Sequence, residues 1–199
     1  AIQTRQLNYY TYGGKLIISD PRGLHAGYKV PQYSIHRGEL QMILFNATKE
    51  RLGAERVITG RRLQSFSQRE DDGKVVVVFE LLDDAMQPTG ETATEVCDVL
   101  IGADGIKSAV RQQLYPEDKI KYAGLMLWRA TTLMDTPFCG GDTMFMAGTN
   151  DAKLVAYPIS KEAKEGGKSL VNWIAETYQR EYDPDTFGYA TKAAKDDFR

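Results

Sequence analysis

The stretch that most constrains the fold is residues 96–111, VCDVLIGADGIKSAVR, where an apolar run meets a Gly-Ala-Asp-Gly turn and then a helix start. The nearly all-apolar run 96–101 predicts a strand buried on both faces. Gly102 and Gly105 permit backbone angles and close approaches that a side chain would block. Ser108 is a good N-cap for a helix over AVRQQL, whose free N–H groups can face an anion. The order strand, turn, helix predicts an α/β fold.

Two charged side chains of this stretch are candidates for ligand contact. Asp104 follows the predicted strand at its carboxyl end, where open α/β sheets place ligands, and its carboxylate can accept a hydrogen bond from a ribose or ribityl hydroxyl. Arg111 stands one turn into the helix, where it can pair with a phosphate or with a neighbouring carboxylate. Taken alone, Gly-Ala-Asp-Gly also fits an ordinary turn, so both interpretations stay open.

The segments before residue 96 alternate between strand and helix patterns. Gly13-Gly14 joins two strand-like runs, 7–12 and 15–19, into a predicted hairpin. Apolar residues at helical spacing predict a helix entered near residues 34–37 and stopped at Gly53. Three more extended runs are predicted, at 56–58, 61–69 and 74–82. The segment 83–95 is interpreted as a polar loop.

Strand patterns return after Lys121. The runs KYAGLMLWRATTLM, DTMFMAGTN and AKLVAYPIS are strand-like, KEAKEGGKS is interpreted as a loop, and LVNWIAETYQREY is given a helical second half. The tail DPDTFGYATKAAKDDFR is polar and weakly patterned. The chain is therefore expected to combine helices with several strands.

Composition excludes several classes of protein. The chain has 199 residues and a net charge of −2, with no basic face or arm that would favour nucleic acid. No apolar run approaches the roughly 20 residues that span a bilayer. Two cysteines, Cys97 and Cys139, and two histidines, His25 and His36, predict neither a metal site nor a redox pair; inert reduced thiols favour a cytoplasmic location.

Two segments together carry a family resemblance. DVLIGADGIKSAVR resembles the Asp-Gly motif of the FAD-dependent aromatic hydroxylases of the p-hydroxybenzoate hydroxylase type, and IHRGELQMIL is similar to the Arg-x-x-Leu helix that precedes it there. Within the family, PQYSIHRGELQMIL and the later YPIS and GKSLVNW resemble the phenazine monooxygenase branch. The likeness runs to about residue 175. It implies an FAD-dependent, NADH- or NADPH-using monooxygenase that hydroxylates an aromatic or phenazine-type substrate through a flavin C4a-hydroperoxide.

The resemblance implies roles for five residues. Arg37 would contact the ribityl or pyrophosphate part of FAD, and Leu63 would offer backbone groups to the adenine. Asp104 and Gly105 would line the FAD and NAD(P)H side of the crevice, while Arg111 would brace the motif. No catalytic residue and no metal ligand is nominated.

The later strands resemble the family's substrate sheet, which roofs an aromatic pocket. Six residues match family positions there: Trp128, Arg129, Tyr157, Pro158, Asn172 and Trp173. Four methionines, Met126, Met134, Met144 and Met146, are a second candidate lining for a planar substrate. Because strand aromatics are most often core residues, ordinary packing is the alternative for both sets.

The chain departs from the family pattern in its phosphate-binding parts. Neither the GxGxxG loop nor the later Gly-Asp segment is found in it. The resemblance therefore predicts the middle portion of an FAD-binding domain plus a mostly antiparallel β-sheet substrate domain. Residues 1–30 would join the substrate sheet, 31–116 would form a partial FAD/NAD(P)-binding domain, and 117–199 a partial substrate-binding domain. We expect weak or absent FAD binding by the chain alone, and apolar edges that favour a homodimer.

Two other functions fit the sequence. The missing glycine-rich loop favours a non-catalytic folded fragment or binding module without FAD. A flavin dehydrogenase or halogenase on the same scaffold is a third reading, because the Asp-Gly motif does not set the reaction.

Overall fold

The computed structural model describes residues 1–178, which fall into two compact units. One unit comprises Ala1–Phe45 with the described part of Tyr122–Arg199, and the other comprises Asn46–Lys121. The predicted mixed fold is confirmed, since sheets dominate both units and only three α-helices occur within residues 1–178. The residues after 178, including the polar tail, lie outside the described part.

The first unit is built on a six-stranded sheet. Its strands lie in the order β3 (Leu16–Pro21), β2 (Gln6–Tyr10), β9 (Thr143–Gly148), β10 (Ala152–Pro158), β11 (Ser169–Tyr178) and β8 (Leu125–Met134). All neighbours are antiparallel except β2 and β9, which run parallel. The predicted hairpin at Gly13-Gly14 is confirmed, with Gly14 at φ +81°. The sheet is thus mostly antiparallel.

Shorter elements flank this sheet. β1 (Ile2–Thr4) pairs with β4 (Gln32–Ser34), and the hydroxyls of Thr4 and Ser34 form a buried hydrogen bond of 2.7 Å. A short helix, α3 (Lys161–Glu165), replaces the loop expected between β10 and β11, with Ser160 as its N-cap. The buried apolar residues of the unit are Ile2, Leu7, Ala156, Ile159 and Val171.

Helix α1 (Arg37–Leu52) begins and ends where the sequence predicts. It stops at Gly53, whose φ of +95° is a left-handed value that favours glycine. None of its residues is buried, so its apolar side chains lie open in the described part of the chain.

The second unit contains a three-stranded meander and one helix. β5 (Arg61–Gln68), β6 (Val75–Leu82) and β7 (Pro88–Cys97) pair antiparallel in that order. The hairpin at residues 71–73 is confirmed, and Val77 of β6 is buried. Helix α2 (Ala109–Leu114) follows the Gly-Ala-Asp-Gly turn as expected.

Four further secondary-structure assignments from the sequence are wrong. The segment 83–95 is a loop only to Gln87, because the residues from Pro88 onward pair with β6 as β7. The run 96–101 is not a buried strand: β7 ends at Cys97, and Val99 and Ile101 are 71% and 81% exposed. Residues 56–58 form no strand, and residues 175–178 are strand rather than helix. Each error follows from pairing, since an apolar run becomes a buried strand only where partner strands lie beside it.

No helix within residues 1–178 is long and apolar enough to cross a membrane.

Candidate functional site

Asp104 holds the turn of the Gly-Ala-Asp-Gly segment together. One of its carboxylate oxygens accepts a hydrogen bond of 2.6 Å from the Ser108 hydroxyl, and the other accepts from the backbone N–H groups of Ala109 (2.6 Å) and Val110 (3.4 Å). The Ser108 hydrogen bond, followed by these backbone contacts, lowers the pKa of Asp104 below its ordinary value. Asp104 is therefore an ionised acceptor that closes the start of α2.

Ser108 is the N-cap of α2, as predicted. Its Oγ accepts from the backbone N–H of Arg111 at 2.9 Å while donating to Asp104. The N–H groups of the first helical turn are consequently taken by the protein's own side chains. The expectation that these groups are free to face an anion is wrong, because Asp104 and Ser108 already satisfy them.

Two glycines of the turn are required for different reasons. Gly105 has φ +80°, and a Cβ there would meet nothing within 4 Å, so the backbone is open to close approach. At Gly102 a Cβ would lie 2.9 Å from both Cβ and Cγ1 of Val110. Val110 thus packs directly on the Gly102 backbone and sets the distance between turn and helix.

Helix α2 is attached to the edge of the meander by Gln113. The Gln113 side-chain amide accepts from the backbone N–H of Phe66 at 3.0 Å and donates to the Phe66 carbonyl. It occupies both backbone groups of Phe66 as a neighbouring strand would. Sequence reasoning missed Gln113, because no local pattern shows that its amide meets a strand 47 residues away.

Arg111 is engaged within the same unit. Its Nε donates to Asp118 at 2.6 Å, and a terminal guanidinium nitrogen contacts the same carboxylate. The guanidinium also lies 5.6 Å from the ring centroid of Tyr115. The sequence left either a phosphate or a neighbouring carboxylate as the partner of Arg111, and the structure shows the carboxylate of Asp118. Arg111 therefore links α2 to the segment that follows it.

Arg37 and Leu63 lie apart from this turn in the chain. Arg37 is the first residue of α1; its side chain is exposed and has no hydrogen bond or ion pair within residues 1–178. Leu63 is half-buried on β5, the edge strand of the meander, next to a bulge at Gln64. The guanidinium of Arg37 is thus exposed, and Leu63 lies on an edge strand of its sheet.

The substrate-sheet candidates divide between the two faces of the six-stranded sheet. Register places Trp128, Pro158 and Trp173 on one face, called here the tryptophan face. Arg129, Tyr157 and Asn172 share the other, called the Arg129 face. The six residues therefore cannot line one pocket together, because successive strand residues point to opposite faces.

The four methionines divide in the same way. Met126 and Met134 lie on the tryptophan face, whereas Met144 and Met146 lie on the Arg129 face. The prediction that all four methionines line one pocket for a planar substrate is therefore wrong.

The cysteines and histidines contribute no centre. Cys97 and Cys139 are free thiols, and burial raises the pKa of the Cys139 thiol. His36 accepts from the backbone N–H of Gly38 at 3.2 Å. Among residues 1–178, no group of three or more potential ligands is placed to hold a metal ion.

Comparison with known proteins gives clear relatives. The chain is 39% identical over 175 residues to the phenazine 1,6-dicarboxylic acid hydroxylase PhzS of Lysobacter antibioticus, covering 87% of this chain and 41% of that protein. It is 29% identical over 157 residues to the 6-hydroxynicotinate 3-monooxygenase of Pseudomonas fluorescens, covering 76% of this chain and 37% of that protein. The chain thus spans less than half the length of these relatives. No family model matches it.

Solved structures share the fold. A variant of HpxO from Klebsiella pneumoniae, complexed with FAD, superposes with a TM-score of 0.64 at 21% identity, covering 93% of this chain and 44% of that one. The 2,6-dihydroxypyridine-3-hydroxylase of Arthrobacter nicotinovorans gives a TM-score of 0.58 at 20% identity, covering 92% of this chain and 42% of that one. At these identities the likeness concerns the fold alone.

Proposed function

We propose that this chain is part of a flavoprotein monooxygenase, and that the whole enzyme hydroxylates a phenazine-type aromatic substrate. The proposal follows from the relationship of the chain, over most of its length, to the FAD-dependent aromatic hydroxylases. The observation that carries the proposal is its 39% identity to PhzS over 87% of the chain. The Asp104 turn, with its open glycine and capped helix, supports it from the structure.

The residues of this chain fit FAD, each in a different way. A carboxylate has about four acceptor positions, and the structure uses three of those on Asp104. Asp104 is left with capacity for about one more donor, such as a ribityl or ribose hydroxyl. Gly105 would allow a ligand to approach its backbone, and Leu63 would offer edge backbone to the adenine. Arg37, which has no ion pair among residues 1–178, would supply a cation for pyrophosphate.

When bound, FAD would supply the reduction of oxygen and its transfer to the ring, with NADH or NADPH as the source of electrons. The chain's own residues bind and orient. Asp104 keeps the turn in one conformation and stays ionised, so it accepts from a ligand and does not donate. Arg111 contributes indirectly by holding the segment after α2 through Asp118.

Substrate contact is assigned to the Arg129 face of the sheet. Arg129 is exposed and forms no ion pair among residues 1–178, and Asn172 carries a buried side-chain N–H group without an acceptor. A cation and an amide donor on one face suit the carboxylate of an aromatic acid. On the tryptophan face, the indole N–H of Trp173 already donates to the Thr132 hydroxyl at 3.1 Å.

Other parts of the proposal follow the family. Residues 1–30 and 117–199 would belong to the substrate domain and 31–116 to the FAD/NAD(P)-binding domain. We also propose that the protein is a homodimer located in the cytoplasm. Sedimentation velocity would test the dimer directly.

The activity is tested with the longest natural polypeptide that contains this chain. We expect flavin absorbance in the purified protein, and oxidation of NADH or NADPH that accelerates when phenazine-1,6-dicarboxylate is added. The product should gain one oxygen atom, labelled when ¹⁸O₂ is supplied. A chlorinated or dehydrogenated product would instead identify a halogenase or dehydrogenase.

Binding by the 199-residue chain separates the enzyme part from a cofactor-free module. If equilibrium dialysis shows that the chain binds FAD with micromolar or tighter affinity, the cofactor-free module is excluded. If a longer polypeptide stays colourless in excess FAD, the monooxygenase is refuted.

Arg129→Gln should raise KM for a carboxylate-bearing substrate with kcat retained. An unchanged KM would remove Arg129 from the substrate site.

A further inference from the structure

A basic cavity lies within the 46–121 unit, beside the Asp104 turn. It has a volume of about 570 Å³ and is walled by residues of two segments, 105–112 and 118–121. Its lining carries four cationic side chains, Lys107, Arg111, Lys119 and Lys121, against one carboxylate, Asp118. The chain as a whole is slightly acidic, with net charge −2, so this concentration of positive charge is local.

The lysines of the cavity are not neutralised by the protein. Arg111 already pairs with Asp118, the only carboxylate of the lining. Lys107, Lys119 and Lys121 form no ion pair within residues 1–178. Lysines elsewhere do, among them Lys74, Lys153, Lys161, Lys164 and Lys168. Three like charges around one concavity repel each other, and an anion bound between them would relieve that repulsion.

We infer that this cavity binds a phosphate group of a dinucleotide cofactor. Lysine is a compact point charge suited to phosphate, and several lysines can share one multiply charged group. The volume falls in the range of small-molecule sites, roughly 300–1,000 Å³, which leaves room for the sugar attached to the phosphate. That the anion comes from a dinucleotide rests on the proposed monooxygenase function.

Two kinds of phosphate group have the required chemistry. NADPH has a 2′-phosphate that NADH lacks, and FAD, NADH and NADPH each have a diphosphate that riboflavin lacks. The cavity would therefore favour a cofactor through one of these groups. The shared chemistry is a phosphate held by Lys107, Lys119 and Lys121.

The site is tested by NMR titration of the ¹⁵N-labelled 199-residue chain with inorganic pyrophosphate. We expect chemical-shift changes at the backbone amides of Lys107, Ser108 and 119–121. Each Lys→Gln change should raise Kd by up to about fivefold, since an exposed charge contact is worth up to about 1 kcal/mol. The affinity should also fall as salt rises.

The matched control is Lys15→Gln with Lys29→Gln. Both lysines are exposed, neither has an ion pair with another described residue, and both lie outside the 46–121 unit. The control removes two positive charges without touching the cavity and should leave the titration unchanged. Because all three cavity lysines are also exposed, unperturbed amides elsewhere will show that the triple variant stays folded.

Titrations with NADPH, NADH, FAD and riboflavin identify the source of the phosphate. Tighter binding of NADPH than NADH, lost in the triple lysine variant, assigns the 2′-phosphate; tighter binding of FAD than riboflavin, lost in the same variant, assigns the diphosphate. Equal behaviour of the triple variant and the control overturns the site. Lysine-dependent binding of pyrophosphate without lysine-dependent binding of FAD, NADH or NADPH overturns the cofactor assignment. Failure of hydroxylation with the lysine-dependent binding intact would refute the monooxygenase alone.

Discussion

The Gly102–Val110 contact offers the sharpest test of the turn geometry. In Gly102→Ala the new Cβ would lie 2.9 Å from Cβ and Cγ1 of Val110 and 3.2 Å from Cγ2. Ordinary carbon contacts are about 3.5–4.0 Å, so two atoms overlap by at least about 0.6 Å. Overpacking of this kind costs about 1–3 kcal/mol. We expect the free energy of unfolding to fall by that amount.

Partner substitutions at Val110 separate this clash from a general effect of alanine. Val110→Ala removes both γ carbons but leaves the Cβ at 2.9 Å, so it should rescue Gly102→Ala only in part. Val110→Gly removes every clashing atom and should restore more of the loss, although glycine itself costs about 1 kcal/mol in a helix. The coupling in a double-mutant cycle measures the contact directly.

Urea unfolding followed by circular dichroism gives these free energies, and hydrogen exchange of the α2 amides reports the local effect. The control is Gly13→Ala, where a Cβ meets nothing within 4 Å. A Gly102→Ala chain as stable as the Gly13→Ala chain would refute the close packing of turn and helix.

Three further predictions concern the same unit. Ser108→Ala should destabilise the chain by about 1 kcal/mol through loss of the N-cap. Ser108→Thr should retain most of the stability, because its hydroxyl can still accept from the Arg111 N–H and donate to Asp104. The pKa of Asp104 is lowered in the folded state, so its stabilising effect is fully present above the unfolded pKa of about 3.8 and is lost as pH falls through the folded pKa. Over that range α2 should fray, and NMR of the Asp104 carboxyl group would follow the titration. Ser108→Ala should raise this pKa. Gln113→Ala should cost about 0.5–1.5 kcal/mol and expose the Phe66 amide to faster exchange. Gln113→Asn should behave in the same way, because its side chain is too short to reach Phe66. Unprotected Phe66 in the unaltered chain would contradict the last of these.

Local features of the turn were predictable because they depend on neighbours in sequence. Ser108 caps a helix whose capped N–H belongs to Arg111, three residues on. Gly53 ends α1 and Gly14 closes the first hairpin through positive φ values that glycine adopts readily. For Asp104 the residue was identified but not its main bonds, since a side chain that accepts from the next helix looks the same in sequence as one that faces a ligand.

Apolar runs were less informative because burial needs a partner. The run 96–101 has the composition of a central strand, yet Val99 and Ile101 are exposed where no strand pairs with them. Residues 88–95 are polar and still form a strand, since β6 supplies backbone hydrogen bonds along their length. Pairing therefore outweighs composition at both places.

The sequence by itself determined the alternation of strands and helices, the turn glycines, the cap at Ser108 and the kinship with flavin hydroxylases, because these rest on residues a few positions apart or on quoted motifs. Tertiary structure decided which residues meet. Strand register put Trp173 and Asn172 on opposite faces, the Gln113 amide reached Phe66, and Lys107 came to line one cavity with Lys121. The physical reason is that such contacts join distant parts of the chain, and only the packed backbone sets their geometry.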